Sequence, residues 1–268
     1  MKCAPFEYVR AGSVDDVVAA LAGAEGDGKI LAGGQSLVPL LALRLAQPTV
    51  LVDVNRIPDL AQVRADGDAV EVGALVRHSA LLTQTAHPLL AAAARWIGHT
   101  AIRSRGTAGG SVAHADPAAE LPVVAIGTGA TVTVAGPDGI RTIDAADLFV
   151  SALVTSLGEE EMITSIRFPL PQRWGFAEFA RRAGDFALVT ALVAEIDGVV
   201  RIAVGGTAPV PVRATAGEQV LADGGTAAEA ATAAAADLRP TADLHGSARY
   251  RQALAAEMIR RALAQAGI

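Results

Sequence analysis

The sequence predicts an α+β protein built from more than one compact unit, and three stretches carry that prediction. "KILAGGQSLVPLLALRLAQPTVLVDVN" reads as a strand, a glycine turn, a helix and a second strand. Further on, short runs of alternating apolar and polar residues are joined by Asp66-Gly67 and by Pro137-Asp138-Gly139, the turn chemistry of hairpins. The chain closes on the alanine-rich run "AAEAATAAAADL" and a second helical stretch, alanine being the best helix former.

Each element has its own warrant. Ser13 followed by Asp16 is a capping-box-like start, and Val17, Val18 and Leu21 lay one apolar stripe on a helix from Ser13 to Ala22. Lys29 to Ala32 is a short apolar strand, about Leu37 to Leu45 a helix, and Thr49 to Val54 a β-branched strand. "VRADGDAVEVGAL" and "ATVTVAGPDGIRTI" are hairpins, and "HSALLTQTAHPLLAAAARWIG" between them is helical, broken near His87-Pro88. Pro169 and Pro171 mark a boundary. Beyond it, Phe176 to Arg181, Leu188 to Ile196 and Val199 to Val204 form a three-stranded meander with a turn at Asp197-Gly198, and a Ser247-capped helix runs to Ala266.

The 268 residues are 51% hydrophobic and 19% charged, enough to bury one large core or two moderate ones. A net charge of -6 offers no basic footprint for nucleic acid or an anionic membrane. Pro5 and Glu7 interrupt any apolar leader segment, and "LVPLLALRLA" is short and carries Arg44, so the expectation is a cytoplasmic protein with no transmembrane segment. The single Cys3 excludes an intrachain disulfide framework and a cysteine-ligated zinc or iron-sulfur site, which places any metal redox centre in another chain. His78, His87, His99, His114 and His245 show neither HxH nor HExxH spacing, read as solvated or core residues, and leave no metal ligand assigned.

The triplet Ala-Gly-Gly occurs twice, in "LAGGQSL" and in "TAGGSVAHAD". Glycine has no Cβ, so such loops let backbone N–H groups approach a ligand closely, and a helix starting there adds partial positive charge. Diphosphates suit this arrangement. Neither loop is a Walker A or a Rossmann GxGxxG, and a Gly-Gly pair also serves as plain turn punctuation. Ser111, His114 and Asp116 stand too close in sequence to converge as a triad and lack a GxSxG elbow. Asp185 reads as a polar turn and Arg181-Arg182 as a solvated face, so no catalytic residue is assigned.

Six ordered blocks extend these signals: "FEYVRAGSVDDVVAALA", "LAGGQSLVPLLALRLAQPTVLVDVNRI", "VGALVRHSAL", "IRSRGTAGGSVAHADPAAELP", "ARRAGDFALVTA" and "ADLHGSARYRQALAAEMIRRAL". Together they resemble the FAD-binding medium subunit of molybdenum hydroxylases, the carbon monoxide dehydrogenase and xanthine dehydrogenase family, over essentially the whole chain. The resemblance implies a p-cresol methylhydroxylase-type FAD-binding fold, with subdomains at 1–56 and 57–170, followed by a C-terminal domain at 171–268. It also implies that both glycine loops face one dinucleotide. By position, Ala32, Gly33, Gly34, Gln35 and Ser36 match the first FAD loop, Thr107, Ala108, Gly109, Gly110 and Ser111 match the second, and Leu31, Leu37 and Ile163 match further family contacts. Two positions depart from the pattern: Glu120 stands where the family has Asp, and Glu178 or Ala177 where many members carry a flavin-contacting Lys.

The resemblance further implies non-covalent FAD and an electron-transfer role. Electrons would come from [2Fe-2S] clusters of a small partner subunit, with the molybdenum cofactor in a large one, the whole assembling as a dimer of heterotrimers. Two other readings stand beside it: a stand-alone FAD-dependent oxidoreductase of the same superfamily, and a structural subunit whose flavin site has decayed.

Overall fold

In the computed structural model, which describes residues 2–268, the chain begins with β1 (Glu7–Arg10), α1 (Val14–Gly23), β2 (Gly28–Leu31), α2 (Leu37–Ala42) and β3 (Val50–Asp53). The strands pair in parallel in the order β1-β3-β2. The capping box is formed: Ser13 Oγ accepts from the Asp16 N–H at 3.1 Å and the Asp16 carboxylate accepts from the Ser13 N–H at 3.0 Å. Val17 and Leu21 of α1 are buried with Val52 and Val54 in a small core of their own. α2 stops three residues short of the predicted end. Arg44 takes a left-handed φ of +57° and the Leu45 N–H turns back to the Leu40 carbonyl at 2.9 Å, a helix-terminating arrangement.

The next part holds β4 (Val63–Asp66), β5 (Ala69–Gly73), α3 (His78–Leu81), α4 (Pro88–Ala94), α5 (Thr100–Arg103), α6 (Ala108–His114), α7 (Glu120–Thr128), β6 (Thr131–Gly136), β7 (Gly139–Asp144), α8 (Ala145–Leu148), β8 (Phe149–Ser151), β9 (Val154–Thr155) and β10 (Met162–Pro169). Both predicted hairpins are present, and β10 inserts between them to give an antiparallel sheet in the order β4-β5-β10-β6-β7. The helical stretch after β5 breaks as predicted. α3 is one turn, and α4 restarts at Pro88, where the His87 ring nitrogen Nδ1 accepts from the Leu90 N–H at 3.4 Å.

The last part comprises β11 (Arg173–Phe179), β12 (Val189–Ile196), β13 (Val199–Gly205), β14 (Val212–Arg213), α9 (Thr215–Ala222), α10 (Ala227–Asp237) and α11 (Ala248–Ala266). The predicted three strands form the meander, and the two-residue β14 adds a fourth to the sheet, correcting the three-stranded expectation. β14 follows Pro209 and Pro211 and is too short to show an alternating pattern, so nothing in the sequence announces it. Ser247 caps α11 as predicted, its Oγ accepting from the Tyr250 N–H at 3.2 Å.

This sheet is covered on both faces. Val189, Ala191 and Val193 of β12 point into a core with α10 and α11, whereas Leu192 joins the core of the preceding part. α7 is the element that joins the two: a Cβ on its Gly127 would overlap the Leu192 side chain, and Val123 lies where a Cβ on Gly205 would go.

Candidate functional site

The fold brings the two glycine loops into contact. Gly33, in the loop from β2 to α2, sits directly on the backbone that leads into α6: a Cβ there would overlap the Arg105 carbonyl oxygen and lie 2.8 Å from the Gly106 Cα. Only a residue without a side chain permits that approach. Gly34 takes a φ of +72°, turning the chain into α2, and a Cβ on Gly110 would come within 3.9 Å of the Ala32 Cβ.

The loops differ in what they offer a ligand. In the second, the donors from Ala108 onward are spent: the Ala108 N–H goes to the Val76 carbonyl and the Gly109 N–H to the Ala74 carbonyl, both at 2.9 Å. Likewise the Gly110 N–H goes to Thr107 Oγ1 at 3.1 Å and the Ser111 N–H to the Thr107 carbonyl at 3.0 Å. In the first loop, the N–H groups of Gly33, Gly34, Gln35 and Ser36 donate to no acceptor among the described residues. Four consecutive free donors form an anion-binding concavity.

The first three of these donors edge a cleft of about 430 Å³ lined by Leu31, Ala32, Gly33, Gly34 and Gln35, together with Asp53, Asn55, Arg105 and apolar Val38, Pro39 and Ile102. The cleft lies beyond the carboxyl ends of the parallel strands β2 and β3, the usual ligand position in such sheets. Ser36 and Leu37 start α2 and do not line it; of Thr107 to Ser111, none lines it, and Gly110 lies behind the lining residue Ala32. Ile163 is buried in the core of the antiparallel sheet, and Glu120 lies elsewhere, at the junction with the C-terminal sheet. Ser111, His114 and Asp116 share no hydrogen bond among the described residues; the Asp116 carboxylate instead accepts from the Ala118 N–H at 2.8 Å.

Sequence reasoning did not single out Asp53, Asn55, Arg77 or Arg105. Asn55 Nδ2 donates to the Ala32 carbonyl at 2.9 Å and to Asp53 Oδ1 at 2.7 Å, which fixes the end of β2. Burial works to raise the Asp53 carboxyl, but hydrogen bonds from Tyr8 and Asn55 and the charge of Arg10 hold it below its ordinary value, so it stays ionised. Arg77 donates to Asn55 Oδ1 at 2.7 Å and to the Arg105 carbonyl. His78 is 5% exposed, and its Nε2 lies 2.9 Å from the Thr107 carbonyl. Burial, together with the charges of Arg103 and Arg77, pushes the ring down to about 4 against the Thr107 bond, so at neutral pH it is uncharged and carries its proton on Nε2. The available signal for Asn55 was its place two residues after the strand "VLVD", and for Arg105 its place two residues before Thr107.

A second polar site lies at the junction. Glu120 opens α7 and Glu178 sits on β11, 7% and 6% exposed. Glu178 pairs with Thr190, and Thr190 with Gly205, so the three form one row beneath α7, whose Val123 covers Gly205 one turn after Glu120. Thr190 donates to Glu178 Oε2 at 3.2 Å, and Glu178 Oε1 has no partner among the described residues. Burial raises the Glu120 carboxyl to about 7, with Asp116 adding to it, and raises Glu178 to about 9, with Glu120 adding to it.

Comparison with known proteins agrees with this architecture. Residues 4–171 match the family described as the FAD binding domain in molybdopterin dehydrogenase, and residues 174–266 the CO dehydrogenase flavoprotein C-terminal domain. The chain is 42% identical to the nicotine 6-hydroxylase medium subunit of Paenarthrobacter nicotinovorans, covering 100% of this chain and 99% of that protein. It is 38% identical to the carbon monoxide dehydrogenase medium chain of Hydrogenophaga pseudoflava, covering 96% of each. Among solved structures it superimposes on a chain of the Hydrogenophaga pseudoflava carbon monoxide dehydrogenase lacking the Mo-pyranopterin moiety, with a TM-score of 0.94 at 37% identity, covering 100% and 99% of the two chains. Quinoline 2-oxidoreductase from Pseudomonas putida 86 follows with a TM-score of 0.93 at 35% identity, covering 99% and 98%.

Proposed function

The chain belongs to the FAD-binding medium subunits of molybdenum hydroxylases of the carbon monoxide dehydrogenase type, and from that premise we propose that it relays electrons from a partner's iron-sulfur clusters through FAD to an external acceptor. The observation that carries the cofactor site is the run of free N–H groups from Gly33 to Ser36 beside Arg105. Their chemistry fits a diphosphate, since each charged oxygen replaces water on an otherwise unsatisfied donor.

Bound FAD supplies the ability to accept electrons singly and release them as a pair. The protein's own residues do the holding. Gly33, Gly34 and Gln35 would donate to the diphosphate, with Ser36 continuing the run of free donors at the start of α2, Arg105 would offset its charge, and Ala32 with Asn55 fixes the angle at which the loop leaves β2. Thr107 to Ser111, with the N–H groups of Ala108 to Ser111 engaged, form the close wall that Gly110 keeps free of a side chain, and Leu31 and Leu37 flank the first loop. The family resemblance implies further contacts from Glu120 and Ile163 of the second subdomain, neither of which lines this cleft. A chain with one cysteine cannot ligate an iron-sulfur cluster, so the relay begins in a small iron-sulfur subunit fed by a large molybdenum subunit, in a dimer of heterotrimers. No helix among the described residues is long and apolar enough to cross a membrane, and the proposed setting is the cytoplasm.

The test is purification of the native complex with identification of its metals and companion chains, alongside a visible spectrum of this chain after FAD reconstitution. Flavin bands with molybdenum and iron in separate companions are expected. A reconstituted chain without flavin bands would favour a decayed site.

A further inference from the structure

We propose that Arg77 is a positioning residue that ties the two glycine loops together, so that the donors of the first are aimed by a side chain belonging to neither. The inference rests on the reading of the cleft as the FAD site. Arg77 lies between β5 and α3, and its guanidinium reaches two acceptors in different directions. One branch donates to Asn55 Oδ1 at 2.7 Å. Asn55 passes this on through Nδ2 to the Ala32 carbonyl at 2.9 Å, the last peptide before Gly33. The other branch donates to the Arg105 carbonyl, the atom over which the bare Gly33 lies.

One planar group therefore holds both sides of the point where the loops touch. The neighbouring residue reinforces the second side, with the His78 N–H on the Gly106 carbonyl at 3.0 Å and its ring on the Thr107 carbonyl. The fixed fork of a guanidinium can serve two divergent acceptors at once, whereas the ammonium of lysine, a point charge on a flexible stem, cannot reproduce that geometry. Charge and positioning can thus be separated by substitution.

The experiment is fluorescence titration of FAD into the wild-type chain and into Arg77→Lys, Arg77→Gln, Asn55→Ala and the Arg77→Gln/Asn55→Ala double variant, with thermal melts of each apo protein. Loss of the cross-link should weaken FAD binding by about tenfold or more in both Arg77 variants, on the scale of one or two hydrogen bonds made by a charged group. The double variant should lose little beyond the worse single one, because both act through one chain of contacts. At saturating FAD the visible circular dichroism of the bound flavin should change in Arg77→Lys, which a merely stabilising role would leave alone. Should Arg77→Gln not fold, Arg77→Lys and Asn55→Ala carry the same comparison. Wild-type affinity and dichroism in Arg77→Lys, or additive losses in the double variant, would overturn the inference while leaving the FAD site intact. A wild-type chain that binds no FAD, alone or in its complex, would remove the site and this inference together.

Discussion

Replacing Glu178 with Gln is expected to stabilise the protein at neutral and alkaline pH. In the folded chain the carboxyl is buried beside Glu120 with one hydroxyl for a partner, and among the described residues no cation hydrogen-bonds it or lowers its charge cost. Both carboxyls are raised above their ordinary value of 4.5, Glu178 to about 9 and Glu120 to about 7, burial being the main cause. The folded state thus retains protons on this pair that the unfolded chain releases, so the pair's contribution to stability is fully present below about pH 4.5 and is lost as pH rises through 7 towards 9. Holding one such proton at pH 7 costs about 3 kcal/mol, the free energy of protonating an ordinary carboxyl 2.5 pH units above its midpoint. Gln carries no such cost, and its amide oxygen can still accept from the Thr190 hydroxyl. Allowing for imperfect geometry, Glu178→Gln should gain about 1–3 kcal/mol at pH 7–8, an upward shift of several degrees in Tm. The assay is thermal unfolding of the apo chain at pH 5, 7 and 9. The wild type should lose stability across that series and Glu178→Gln should lose much less. An equal decline in both proteins, or a variant less stable than wild type at pH 8, would refute the reasoning.

The glycines should separate by role. Gly109→Val places a side chain against Ala74, where a Cβ already falls 2.6 Å from the Ala74 Cβ, and should destabilise the apo protein by about 1–3 kcal/mol in a thermal melt. Gly34→Val, at a positive φ on the cleft, should weaken FAD binding by about tenfold in a titration on protein shown by circular dichroism to be folded. Acid precipitation of the flavoprotein should leave the yellow chromophore in the supernatant, because the cleft lining contains no Cys or His to form a covalent link; flavin in the pellet would contradict this. Mixed with organic substrates as the sole protein, the reconstituted chain should show slow flavin bleaching by stopped-flow absorbance.

Much of the fold was legible because it is locally encoded. The Ser13–Asp16 capping box, the Gly67 and Gly139 turns and the Ser247 cap each involve residues within a few positions of one another, and each stands as the sequence indicated. α7 was not legible. "ELPVVAIGT" is apolar on every side because it is buried on every side, and a short apolar run without periodicity looks alike as buried helix or buried strand. The helix that joins the FAD-binding part to the C-terminal sheet is thus among those that pattern did not identify, with α5, α6, α8 and α9.

The site divides the same way. Two Ala-Gly-Gly triplets point to close backbone approach, and the approach is there, but composition could not say approach to what. For Gly109 the neighbour is Ala74, for Gly33 it is the other loop, and the free donors toward the cleft belong to the first loop alone. That asymmetry depends on acceptors far away in sequence: the Val76 and Ala74 carbonyls consume the donors of α6 across more than thirty residues, and Arg77 reaches Asn55 and Arg105 across 22 and 28. Glu120 and Glu178 illustrate the same limit, since each is visible alone as an unusual carboxylate, while only the register Glu178–Thr190–Gly205 under Val123 makes them neighbours. What a sequence hides here is which polar groups have already found a partner, and in this chain that distinction separates a donor available to a diphosphate from one committed to the fold.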